Sequence, residues 1–198
     1  MNKLLLNAFE QLRFLLRITR THGIVRRYFV VNGFDGALTM LGLIIGFVIS
    51  ASANLTVVIN ACLGAAIALA VSGVSSAYVS EQAELRRALN DLEDAMMTDL
   101  KESAHGDAAR WVPLLIALVN GIAPLIISLL IISPLWLSKL GIVFFVSPLF
   151  IAVIIAFILI FLLGVFLGRV SGVSWLYSGV KALLVALVTM SLIFLFAG

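Results

Sequence analysis

Apolar residues gather into five long runs, about Tyr28 to Ala51, Leu55 to Val79, Trp111 to Ile132, Ile142 to Gly168 and Trp175 to Phe196. Each is long enough for a helix to cross a bilayer, which takes about 20 residues, so the pattern predicts five transmembrane helices. Two other stretches are amphipathic. In Met1 to Thr21, Leu4, Leu5, Ala8, Phe9, Leu12, Leu15, Leu16 and Ile18 share one side of a helix, and Lys3, Arg13, Arg17 and Arg20 take the other. A basic face opposite an apolar one predicts a helix lying in the membrane interface, against the anionic headgroups of the lipid bilayer. Gly23 is expected to stop it. Between spans two and three, Leu85, Leu89, Leu92, Met96 and Leu100 recur at helical spacing and predict a short cytoplasmic helix that ends within Ala104 to Ala109.

The fold class is therefore all-α: a polytopic membrane protein with five transmembrane helices, an N-terminal interfacial helix and a short cytoplasmic helix. Residues 1–27 form the interfacial segment, 28–79 the first two spans, 80–110 the acidic cytoplasmic helix and 111–198 the last three spans. Composition agrees, with 63% hydrophobic and 12% charged residues, which excludes an ordinary soluble domain. A single cysteine, Cys62, leaves no disulfide framework within one chain. No feature points to nucleic acid.

Charge sets the orientation. Lys3, Arg13, Arg17, Arg20, Arg26 and Arg27 precede the first span, Arg86, Arg87, Lys101 and Arg110 lie between the second and third, and Arg169 follows the fourth. The opposite side has Lys139. By the positive-inside rule the N-terminus is cytoplasmic and, after five spans, the C-terminus is outside. The expected location is the plasma membrane of a prokaryote.

The first span carries one carboxylate, Asp35, well inside its apolar run. A charge there costs roughly 2.5 to 3.5 kcal/mol even on lenient insertion scales, and such residues mark function. Asn32, Asp35, Thr39, Gly42 and Gly46 follow helical spacing and form one seam, and the Gly42/Gly46 pair lets a second helix approach closely. A contact that only fixes packing needs an amide or a hydroxyl rather than a carboxylate. Asn60, Gly64, Ala68, Ser72 and Ser75 or Ser76 form a small, weakly polar stripe on span two, and Ala117, Asn120, Gly121, Pro124 and Ser128 form another on span three. Pro124 frees the Asn120 carbonyl four residues back. The candidate pathway residues are Asp35, Asn32, Thr39, Asn60 and Asn120.

On the cytoplasmic helix, Glu81, Glu84, Asp91, Asp99 and Glu102 fall within about 80° of one another, bordering its apolar face. Oxygen ligands suit divalent cations such as Mg²⁺, Mn²⁺ and Fe²⁺, and a thioether from Met96 or Met97 adds softer character. The alternative is a solvated face, since Arg86, Arg87 and Lys101 belong to the same stretch.

The motif N-G-F-D-G-A-L-T in span one, with L-G-L-I-I-G after it, resembles the vacuolar iron transporter family. So do S-A-Y-V-S-E-Q-A-E from Ser76 to Glu84, Pro124 in span three, G-x-x-x-G-R from Gly164 to Arg169 and the five-span layout. The resemblance implies a homodimer whose first spans meet near the two-fold axis and line a path for Fe²⁺ or Mn²⁺, exported by proton antiport, with Asp35 as the pathway aspartate. The metal is cargo, and no tightly bound cofactor is implied. Glu81 and Glu84 match the start of that family's first cytoplasmic helix. Two departures stand out: Leu55 to Val79 contains neither the carboxylate nor the methionine that metal-binding members add, and the cytoplasmic insert is short.

The expected function is a secondary transporter of Fe²⁺ or Mn²⁺. The alternatives are a scaffold that keeps the fold without transporting, or a carrier of another small solute. Enzyme chemistry is not expected, because both histidines, His22 and His105, lie outside the spans and no nucleophile-and-base constellation occurs within them.

Overall fold

The computed structural model describes residues 22–50 and 54–197. The expected interfacial helix of Met1 to Thr21 lies outside the described residues. Five helices follow in order: α1 His22–Ile49, α2 Leu55–Met96, α3 Ala104–Lys139, α4 Pro148–Val170 and α5 Trp175–Ala197. No strand occurs among the described residues. All five helices are long and apolar enough to cross a membrane, so the chain is an all-helical, multi-pass membrane protein.

Several boundaries differ from the sequence expectation: α3 runs on to Lys139 instead of ending at Ile132, and α4 starts at Pro148 instead of Ile142. Gly23 is itself helical, next to His22 at the start of α1. Span two and the expected cytoplasmic helix are one continuous helix of 42 residues, because no glycine or proline follows Gly73 before α2 ends. A change from apolar to charged side chains alters the faces of a helix without breaking its backbone. That helix ends at Met96, and not within Ala104 to Ala109, where α3 instead begins.

The end of α2 is a left-handed cap. Met97 has φ 49°, its N–H donates to the Asp94 carbonyl (3.4 Å), and the Thr98 N–H donates to the Glu93 carbonyl (3.2 Å). The second of these bonds recurs past α3, from the Ile142 N–H to the Leu137 carbonyl (3.1 Å), and past α4, from the Val173 N–H to the Gly168 carbonyl (3.0 Å), where Gly141 and Gly172 meet the positive φ without a Cβ clash. At Met97 an ordinary side chain takes the strained conformation, which costs about 1 kcal/mol.

The chain divides into two compact units, one containing Tyr28 and Ser72–Asn120, the other Phe29–Val71 and Gly121–Gly198. The core of the second unit joins Met40, Leu41 and Ile44 of α1 to Ile59 and Cys62 of α2, Ile131, Ile132 and Leu135 of α3 and Ile160 of α4. In lipid such helices gain little from hiding apolar surface, so close approach and dispersion contacts must hold them. Glycines supply the approach: a Cβ on Gly164 would sit 2.8 Å from the Ser178 carbonyl oxygen, and one on Gly168 would sit 2.8 Å from Ser178 Cβ. This joins α4 to α5 along the G-x-x-x-G spacing. Pro134 leaves the Leu130 carbonyl without its helical partner, and Ser133 Oγ donates to it instead (2.8 Å).

The core of the first unit is smaller. Ala108, Val112 and Ile116 of α3 pack with Ile24, Val25 and Tyr28 of α1 and Leu85 of α2. Ser103 caps α3, accepting from the His105 N–H (3.2 Å) while its hydroxyl donates to the Leu100 carbonyl (2.6 Å).

Candidate functional site

Glycine placement aims α1 within the second unit. A Cβ on Gly36 would lie 2.8 Å from both Cα and the carbonyl oxygen of Pro124, so α1 and α3 touch backbone to backbone there. Gly33, one turn earlier, faces the side chain of Leu163 of α4, which a Cβ would meet at 3.2 Å. The face carrying Gly33, Gly36, Ala37, Met40 and Ile44 is therefore the buried one. Asp35 is thereby turned away from the core. It is exposed, and among the described residues its carboxylate has neither a hydrogen bond nor an ion pair. The rest of the seam, Asn32, Thr39, Gly42 and Gly46, is half-buried. Gly42 has Ile193 of α5 within ordinary contact of its Cβ position, 3.5 Å, whereas Gly46 faces open space.

The span-two stripe also points outward: Asn60, Gly64, Ala68, Ser72, Ser75 and Ser76 are all exposed. The span-three stripe does the opposite: Ala117, Asn120, Gly121, Pro124 and Ser128 are all buried. Asn120 Nδ2 donates to the Gly73 carbonyl of α2 at 2.7 Å, so this expected pathway residue bridges two helices of the first unit. Ser128 Oγ is fully buried and has no hydrogen-bond partner among the described residues.

The expected acidic strip is not brought together. Asp99 and Glu102 leave it, because α2 stops at Met96 and both lie in the following turn. Glu81 is buried, 6% exposed, and accepts a hydrogen bond from the Tyr28 hydroxyl at 2.9 Å. Glu84, Asp91, Met96 and Glu102 are exposed. Among the described residues no group of three or more His, Cys, Asp or Glu is arranged to hold a metal ion.

Carboxylates that the sequence did not single out do gather at the α2 end. Glu93 and Asp94 line a shallow depression with Asp99, Met97 and Thr98. Two of these acids fasten the turn. Glu93 Oε1 accepts from the Leu100 N–H (2.8 Å), and Asp99 Oδ1 from the Lys101 N–H (2.9 Å). The Lys101 N–H, helped by the Lys101 ammonium, holds the Asp99 carboxyl below the usual carboxylate range.

The uncharacterized protein MJ0645 of Methanocaldococcus jannaschii is 33% identical to the chain over 172 residues, covering 85% of this chain and 86% of that protein. The chain belongs to the same family as MJ0645. No family model matches it, and no solved structure does. Since MJ0645 is itself uncharacterized, activity has to be argued from the site.

Sequence reading missed three residues of the first unit: Tyr28, which donates to Glu81, Glu93, which holds the turn, and Ser103, which caps α3. Ser103 carries a legible signal, a serine just before a helix. The other two depend on contacts 53 and 7 residues apart, which no local pattern encodes.

Proposed function

We propose that the protein is a secondary transporter that moves a divalent cation, Fe²⁺ or Mn²⁺, out of the cytoplasm by proton antiport, working as a homodimer in the manner of the vacuolar iron transporters it resembles. The observation that carries this reading is Asp35: a carboxylate on the outward side of an apolar span, with no partner for it among the described residues. Left against lipid it is costly, and facing a second copy it becomes one of a pair. Gly46, open to its surroundings, lets that copy approach, and the outward stripe from Asn60 to Ser72 offers a further small-residue surface. A cation held between paired carboxylates displaces protons from them, which is the elementary step of antiport. The basic N-terminal segment rests on anionic headgroups, the N-terminus is cytoplasmic, and the membrane is the prokaryotic plasma membrane. A second reading, a scaffold that keeps the fold without transporting, draws on the dispersal of Glu84, Asp91 and Glu102 over separate exposed positions.

The test is flux of Fe²⁺ and Mn²⁺ into proteoliposomes under an imposed pH gradient, comparing wild type with Asp35→Ala and Asp35→Asn reconstituted to equal levels. Gradient-dependent flux in the wild type, lost in both variants, is the expected result. Flux that survives in Asp35→Asn with the same pH dependence removes Asp35 from the path, and a folded wild type that moves neither metal leaves the scaffold. Gly46→Val should leave the single chain folded and separate the dimer on size-exclusion chromatography.

A further inference from the structure

Tyr78, Gln82, Arg86 and Asn90 succeed one another every four residues along α2 and so share one face. Together with the first turns of α3 this face encloses a cavity of about 460 Å³, also lined by Leu89, Lys101, Gly106, Ala109 and Arg110. Among the described residues its lining has three cations and no carboxylate. The local sequence explains the assembly. A Cβ on Gly106 would collide with the main chain of Leu100 and Lys101, so only glycine lets that turn fold over the start of α3 and bring Lys101 to the rim. Arg110 follows one turn later on the same helix.

Three like charges around one cavity repel unless something neutralises them. Lys101 has a partial answer in the exposed Asp99, 3.3 Å away. Arg86 and Arg110 have no ion pair among the described residues. The neutral groups also favour an anion. Gln82 Nε2 donates to the Tyr78 hydroxyl (2.9 Å), which leaves the phenolic hydrogen to donate elsewhere.

We propose that this pocket binds a phosphate-bearing anion, gripped by Arg86 and Arg110 and closed over by Lys101. Guanidinium groups match phosphate oxygens in bidentate geometry, and ammonium adds a point charge. The volume exceeds what a bare phosphate fills, so the cavity also accommodates the group attached to it. Two sources offer that chemistry: an anionic phospholipid headgroup and a soluble phosphate. Tyr78, in the lining, and Trp111, next in sequence to Arg110, are exposed in the manner of aromatic residues at the headgroup level, which puts lipid within reach. The inference does not depend on what the spans transport.

The test uses the full chain purified in detergent. Retention of dioleoylphosphatidylglycerol, against dioleoylphosphatidylcholine, is read by native mass spectrometry, and inorganic phosphate is titrated by calorimetry. The comparison is with Arg86→Gln/Arg110→Gln and with Arg87→Gln, whose arginine is on α2 but outside the lining. The expected result is that wild type and Arg87→Gln bind alike and the double variant binds about tenfold more weakly or worse. Preference for phosphatidylglycerol alone identifies the lipid as the source, and binding of inorganic phosphate alone identifies a soluble phosphate. If neither probe binds the wild type, or if the double variant binds both as the wild type does, the proposal is overturned. Should the double variant not fold, Lys101→Gln substitutes for it, and unchanged binding by that variant counts equally against the pocket.

Discussion

Where helices of the Phe29–Val71 and Gly121–Gly198 unit approach most closely, side chains are missing: Gly36 against Pro124, Gly164 and Gly168 against α5. In the unit of Tyr28 and Ser72–Asn120 they are joined where polar side chains bridge, Tyr28 to Glu81 and Asn120 to Gly73, and Glu93 ties the end of α2 to Leu100 in the turn that follows. The contrast follows from how much apolar contact each core supplies. An apolar bundle in lipid is fixed by shape, because its surroundings are as apolar as its core. A bundle with a small core and many charges needs directional bonds to choose one arrangement, and each bond fails if either partner is lost. Substitutions should therefore act by overpacking in one unit and by unpaired polar groups in the other.

The sharpest way to break this contrast is Gly36→Val. Main-chain atoms of Pro124 cannot step aside, so the thermal midpoint in detergent should fall by an amount corresponding to about 3 kcal/mol, and a wild-type midpoint would remove close approach as the organising contact. Tyr28→Phe should cost about 2 kcal/mol, since it leaves a buried Glu81 oxygen without its donor, and replacing Glu81 by leucine in the same background should recover part of the loss. Asn120→Leu should cost about 1 kcal/mol, read in the same assay, by removing the bond to the Gly73 carbonyl. Met97→Gly should stabilise by about 0.5 to 1 kcal/mol, because glycine accepts the positive φ, and hydrogen exchange at the α2 end should slow. The smallest effect is at Asp99. Its lowered carboxyl means that the turn is supported fully above the ordinary aspartate range and loses that support as pH falls through the lowered value. The Lys101 amide resonance, followed by NMR through the acid range, should move with that titration in wild type and stay put in Asp99→Asn.

Span number was legible because lipid thickness imposes a length, and each apolar run met it. Helix ends were less legible. The apolar pattern ended spans three and four at Ile132 and Gly168, whereas α3 and α4 run on to Lys139 and Val170, before the turns at Gly141 and Gly172. Met97 makes such a turn with a residue that signals nothing, so the cytoplasmic helix was expected to run on and carry Asp99 and Glu102 with it. Gly106 misled in the opposite direction, since a glycine near a charged stretch suggests a stop and here it lets a turn cross the start of α3. Asp35 was singled out from its setting alone, and the structure places it outward on its helix. The seam around it was only half legible. Spacing puts Gly42 and Gly46 on one face but does not say that Ile193 of the same chain already lies beside Gly42.

Gly36 and Gly179 also differ in how each position can change over generations. Gly179 is crowded by the Phe161 ring and the Val165 side chain, so a smaller residue at 161 or 165 could make room for an alanine there, and related chains can trade bulk between these positions. Gly36 is crowded mainly by the backbone of Pro124, which no exchange of side chains removes. Among relatives, position 36 should stay glycine whatever stands at 124, while 179 and 161 should vary as a pair. The first is a position that drift cannot cross in single steps, and the second is one that it can.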